Sequence, residues 1–210
     1  MTLNPAALDK PVAVAGEQAD CLTEIFRDEV NLAIWNRSLS TDLARFADEL
    51  TAWEGHMERF VSLSAGDSSA LVLPNWALAI AGSEAWVADA DELIAMYRCL
   101  FEPGTVGLRI HVLKGTMCPR FHVDRVPVRL LCTYQGVGTE WLPEQRVTRP
   151  EKPGPLPDQA VKPGNVQRLE TAAVALLKGE AWEGNEGRGL VHRSPEPGNR
   201  PRLVLALDWL

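Results

Sequence analysis

Apolar residues recur at three- and four-residue steps from Leu43 through Phe46, Ala47, Leu50, Trp53, Met57 and Phe60 to Val61. This spacing predicts a helix over 41–63, capped at its start by Ser40 or Thr41. A second helical stretch covers about 87–101, where Leu93, Ile94, Tyr97, Leu100 and Phe101 share a face and Pro103–Gly104 ends it. Between Cys21 and Arg37, the positions Val30, Leu32, Ile34 and Trp35 alternate briefly, as in a strand. The first sixteen residues, small and apolar with scattered Pro and Gly, read as a loose arm.

Beyond Gly104 the period shortens to two. Val106, Leu108, Ile110 and Val112 alternate with Gly107, Arg109, His111 and Leu113, which predicts a strand with one apolar face. Residues 127–134 form another, closed by QGVG at 135–138, after which TEWL at 139–142 is expected to pair back as a hairpin. Six prolines and two glycines make 143–167 a long loop, a lid or a mobile edge. Short apolar runs follow at 172–177, 189–192 and 202–209. The pattern is α+β: a barrel-like antiparallel core at 105–210, with a mainly helical part at 1–104 packed on it as one domain.

Composition narrows the function classes. The 210 residues are 46% hydrophobic and 23% charged, enough to bury a core without disulfides. Cys21, Cys99, Cys118 and Cys132 are too dispersed for a CxxC clip and read as reduced thiols of a cytoplasmic protein. No run of eighteen apolar residues suggests a membrane span, and Asp9-Lys10-Pro11 argues against a signal peptide. A net charge of -7 argues against nucleic acid as a partner. The charge is uneven, however: residues 1–60 hold eleven acids and five bases, whereas 109–129 hold Arg109, Lys114, Arg120, Arg125 and Arg129 against Asp124 alone. Arginines gathered near histidines suit carboxylate or phosphate recognition; pairing with the acidic N-terminal half is the plain alternative.

The chemistry centres on His122-Val123-Asp124. On an extended segment these two side chains point to one side and can share a cation, although a surface His–Asp hydrogen bond gives the same dipeptide. His192 ends the GLVH strand and Arg202 opens the last one ten residues later. Two histidines and a carboxylate make a triad that leaves three positions open on an iron ion, and an arginine one strand away can hold a carboxylate bidentately. Cys118, four residues before His122, could instead complete a tetrahedral zinc site, or be a plain thiol. His111 faces either a pocket or solvent, His56 reads as a surface residue, and Trp141 and Trp182 line a cavity or the core.

The order HxD, strand, turn, Glu-Trp-Leu, long loop, His, ten residues, Arg resembles the iron(II)/2-oxoglutarate oxygenases over about 106–210. More closely, NLAIWNR (31–37), CPRFHVDRVPVRLLCTYQGVGTEWL (118–142) and GLVHRSP (189–195) resemble a bacterial family, domain of unknown function 1826. That family is loosely associated with zinc-homeostasis genes. The resemblance implies a double-stranded β-helix (jelly-roll, cupin-like) core. It implies His122, Asp124 and His192 as ligands of Fe(II), and Arg202 as the partner of the distal carboxylate of 2-oxoglutarate. Arg200 is the competitor of Arg202, and Tyr134 a second hydrogen-bond donor to that carboxylate. Arg129 points away from Tyr134 and is structural or substrate-facing. The activity implied is dioxygen-dependent oxidation of a small molecule or protein side chain; the alternative is a non-catalytic zinc-binding protein of the same fold.

Overall fold

The computed structural model describes residues 10–53, 56–151, 154–196 and 198–210. Its first half contains β1 (Val12–Gly16), β2 (Val30–Trp35), α1 (Thr41–Trp53), β3 (Met57–Leu63), α2 (Asn75–Leu78) and α3 (Ser83–Phe101). Then come β4 (Val106–Leu113), β5 (Val128–Gln135), β6 (Glu140–Trp141), β7 (Gln167–Arg168), β8 (Val174–Lys178), β9 (His192–Arg193) and β10 (Arg202–Trp209). Seven strands form one sheet in the order β1-β2-β8-β5-β10-β4-β3, and β7-β6-β9 form a second, three-stranded sheet. The pairings of the large sheet are antiparallel except for β1 with β2. The result is an α+β fold, a double-stranded β-helix with the helices packed on one face of its large sheet.

Strand alternation divides the chemistry between the two faces. Leu108 and Ile110 of β4, Leu130 and Tyr134 of β5, and Leu203, Leu205 and Leu207 of β10 are buried with the helices in the main core. The helices contribute Phe46 and Leu50 from α1 and Trp86, Leu93 and Tyr97 from α3. The intervening residues of the same strands, Arg109, His111, Arg129, Arg202 and Asp208, belong to the other face. Burying only one parity of each strand fixes the register, because a slip of one residue would put arginines into the apolar core.

Three sequence expectations are corrected. The helix expected over 41–63 ends at Trp53, and 57–63 is an edge strand paired antiparallel with β4 (54–55 lie outside the described residues). Helix α1 does begin as expected, with Ser40 Oγ accepting from the Leu43 amide at 3.3 Å. The arm expected at the N-terminus contains β1, which pairs in parallel with β2; residues 1–9 lie outside the described residues. Trp141 and Glu140 do not pair back on β5 but with β7 and β9 of the small sheet. Gly136, at φ 81°, turns the chain out of β5, and a Cβ there would sit 2.7 Å from the Pro201 carbonyl oxygen. The Pro-rich 143–167 segment is anchored: Val147, Leu156, Val161 and Val166 pack against Phe121, Leu142 and Val191.

Candidate metal centre

His122 and His192 face each other as an antiparallel bridge, each donating its backbone N–H to the other's carbonyl at 3.0 Å. Directly opposed residues of such a pair project to the same side. Their rings accordingly lie 4.5 Å apart, centroid to centroid. Asp124, two residues beyond His122, points to that side as well. Its backbone is held against the end of β8, where Glu180 N–H donates to the Asp124 carbonyl at 2.8 Å and Gly179 N–H to the Pro127 carbonyl at 2.8 Å. Only glycine fits at 179, because a Cβ would lie 2.0 Å from the Val126 carbonyl oxygen.

The three side chains bring one potential ligand atom each to within 4.8 Å of one another. His192 Nε2 is 3.5 Å from Asp124 Oδ2, and His122 Nε2 is 4.0 Å from Asp124 Oδ1. Each imidazole is oriented through its other nitrogen: His122 Nδ1 donates to the Arg120 carbonyl at 2.9 Å and His192 Nδ1 to the Leu190 carbonyl at 3.1 Å. A carbonyl can only accept, so a proton sits on each Nδ1, and Nε2 is the nitrogen turned toward the carboxylate. Burial lowers the pKa of His192 and keeps the imidazole in the neutral form that ligation requires. Asp124 Oδ1 accepts from Arg129 Nη1 at 2.8 Å, while the buried Oδ2 has no hydrogen-bond partner among the described residues. Two imidazole Nε2 atoms and an orphaned carboxylate oxygen at this spacing fit a divalent metal.

The site opens into a cavity of about 220 Å³ between the two sheets. Arg202 lies in its wall, 3% exposed, with Nε donating to the Val137 carbonyl at 2.5 Å and Nη2 to Thr139 Oγ1 at 3.3 Å. It makes no ion pair among the described residues, and burial pulls its pKa down to about 10. Arg129 is anchored between Asp124 and Asp208, donating through Nε to Asp208 Oδ1 at 2.7 Å. His111 also lines the cavity, 4% exposed, and burial lowers its pKa.

Other candidates lie elsewhere. The Tyr134 hydroxyl donates to Asp89 Oδ2 at 2.6 Å on the helix-covered face, away from Arg202. Arg200 is exposed and pairs with Asp48. Cys118 is exposed at the cavity rim, and its thiol is outside the ligand cluster. His56 is exposed, Trp141 packs with Leu131 and Val204, and Trp182 packs against Phe26 and Phe101. Asp208, which holds both Arg109 and Arg129, escaped the sequence reading; its signal is the parity it shares with Arg202 along β10.

Among the described residues, no helix is long and apolar enough to cross a membrane. No curated protein is significantly similar to the chain. Among solved structures, a C-terminally truncated Neurospora crassa protein in its apo form superposes with a TM-score of 0.53 at 13% identity, over 92% of this chain and 87% of that one. A prolyl-4-hydroxylase of Pseudomonas putida gives 0.48 at 10% identity, over 90% of this chain and 97% of that one. The dioxygenase for auxin oxidation 1 of Arabidopsis thaliana, in its 2-oxoglutarate complex, gives 0.49 at 11% identity, over 96% and 92%. At these identities the likeness to the Neurospora protein is one of fold. In sequence, residues 16–208 match the family described as protein of unknown function (DUF1826), and the chain belongs to that family.

Proposed function

We propose that the protein is a non-haem iron(II)/2-oxoglutarate-dependent oxygenase. The observation that carries this reading is the meeting, in one cavity, of the His122–Asp124–His192 cluster and the unpaired guanidinium of Arg202. The three ligands would occupy one face of an iron ion and leave the opposite face for cosubstrate and dioxygen. Iron carrying a 2-oxo acid supplies oxidation of a C–H bond, coupled to decarboxylation of the cosubstrate to succinate.

The chain's own contribution is holding and orienting. Arg202 would bind the distal carboxylate of the cosubstrate; the nearby acid, Glu140, is already paired with Arg168 and Arg193, and in a buried pocket a bidentate ion pair is strong. Arg129 fixes the rotamer of Asp124 through Oδ1 and leaves Oδ2 for the metal, while the Nδ1–H···O=C bonds aim both imidazoles. The exclusion of Cys118 from the cluster favours iron over a four-ligand zinc site.

The test is an anaerobic titration of the full chain with Fe(II) and 2-oxoglutarate, followed by visible spectroscopy. A metal-to-ligand charge-transfer band is expected in the wild type, absent in Asp124→Ala and His192→Ala. Arg202→Met should bind Fe(II) normally and need at least about 10-fold more 2-oxoglutarate to develop the band. A wild-type protein that binds Fe(II) without the band, and releases no succinate in air, overturns the reading.

A further inference from the structure

The cavity has a second cationic pole. Arg109 pairs in register with Ala206, four residues along β10 from Arg202, so the two guanidiniums are rooted about 13 Å apart along the sheet. Arg109 is held in place from two sides: Nε donates to Asp208 Oδ2 at 3.1 Å, and the guanidinium carbon stacks 4.6 Å from the centre of the Phe60 ring. Its terminal nitrogens have no hydrogen-bond partner among the described residues. A guanidinium fixed through Nε and an aromatic face, with its outer nitrogens free, is preorganised to receive an anion. Asp208 is shared with Arg129, which also pairs with Asp124.

Beside Arg109 on the same face stands His111, opposite Val204 and so between the two arginines. Its ring is buried in the cavity wall, and Nδ1 lacks any partner among the described residues. A neutral imidazole has a donor and an acceptor to satisfy; Nδ1 is enclosed, so a molecule in the cavity would meet the ring through Nε2, which has no hydrogen-bond partner among the described residues. Glu58, across from His111 on β3, also lines the cavity at its exposed rim, and its carboxylate favours the protonated imidazole while burial opposes it.

We infer that Arg109 and His111 form a second anion-binding subsite, which takes the carboxylate or phosphate group of the molecule to be oxidised. Assigning this pole to the substrate rests on the oxygenase reading, since that gives Arg202 to the cosubstrate; the anion site itself does not depend on it. A substrate tethered at Arg109 lies on the side of the cavity where Asp208 and Arg129 lead to the metal ligand Asp124.

The experiment follows the imidazole resonances of His111 by ¹H–¹⁵N NMR in the full chain, titrated in parallel with inorganic phosphate and with acetate. Saturable shifts in the wild type are expected, retained in Arg202→Met and weakened at least 10-fold in Arg109→Gln at unchanged melting temperature. The stronger of the two anions identifies the group. His111→Gln, followed by calorimetry, should retain part of the affinity that His111→Ala loses, a graded response that a purely structural role would not give. No shift with either anion, equal shifts in Arg109→Gln, or loss of the response in Arg202→Met would overturn the subsite. A wild-type protein that gives these shifts but no charge-transfer band with Fe(II) and 2-oxoglutarate keeps the anion site and removes the oxygenase reading.

Discussion

Arg37 and Arg202 are both buried guanidiniums, on opposite sides of the large sheet, and their surroundings differ in one respect. Arg37 meets Asp89 on two nitrogens, with Nη2 to Oδ2 at 2.8 Å, and donates to the Ala172 carbonyl and Cys132 Sγ; Tyr134 completes the carboxylate. Every charge there has its counter-charge inside the protein. Arg202 has only a carbonyl and a hydroxyl as hydrogen-bond partners among the described residues, and the nearby Glu140 is paired with Arg168 and Arg193 instead. Burial opposes the charge of both, yet the pKa of Arg37 is raised because Asp89 outweighs it, whereas that of Arg202 falls to about 10. A closed ion pair of this kind organises the core; an open one leaves its partner to arrive from outside.

Breaking the closed pair should have the largest effect on stability. Asp89→Ala leaves Arg37 buried and uncompensated, with an expected loss of about 3–5 kcal/mol in urea denaturation. The open guanidinium should behave oppositely: Arg202→Met is expected to stay within about 1 kcal/mol of wild-type stability, because it removes a charge that burial already disfavours. If both substitutions cost the same, the contrast between the two arginines fails.

A third buried cation gives the most graded test. Lys178 Nζ donates to the Arg27 carbonyl at 3.0 Å and lies 4.7 Å from the Trp182 ring, and burial lowers its pKa from 10.5 to about 8. Between those values the unfolded chain holds a proton that the folded chain has released, so raising the pH favours the fold. Lys178 should therefore contribute a rise in stability from about pH 8 to 10.5 that is absent in Lys178→Met, measured by denaturation at each pH.

Much of this was legible in sequence where local alternation carries the information. The period of two in 106–112 and 202–209 separates the leucine face from the face bearing Arg109, His111 and Arg202, and the structure has that division. The HxD spacing likewise anticipates the joint orientation of His122 and Asp124. What escaped depends on partners distant in the chain. Met57, Phe60 and Val61 continue the helical spacing of α1 by coincidence, while their strand conformation comes from pairing with β4 about fifty residues on. Tyr134 has the right position in its strand for a ligand-binding role but the parity of the core, and Asp89 on α3 takes its hydroxyl. The Glu140–Trp141 strand reads locally as the return of a hairpin, yet its partners are β7 and β9, beyond the long loop.

The reciprocal backbone bonds between His122 and His192 make the ligand cluster a readout of strand register. A slip of one residue between these segments would turn one imidazole out and present Arg193 in place of His192. Metal would then bind only chains whose small sheet had closed correctly, and binding would stabilise that closure by mass action. Acquisition of a metal there would double as proofreading of the fold, with the two histidines as the pair that is checked.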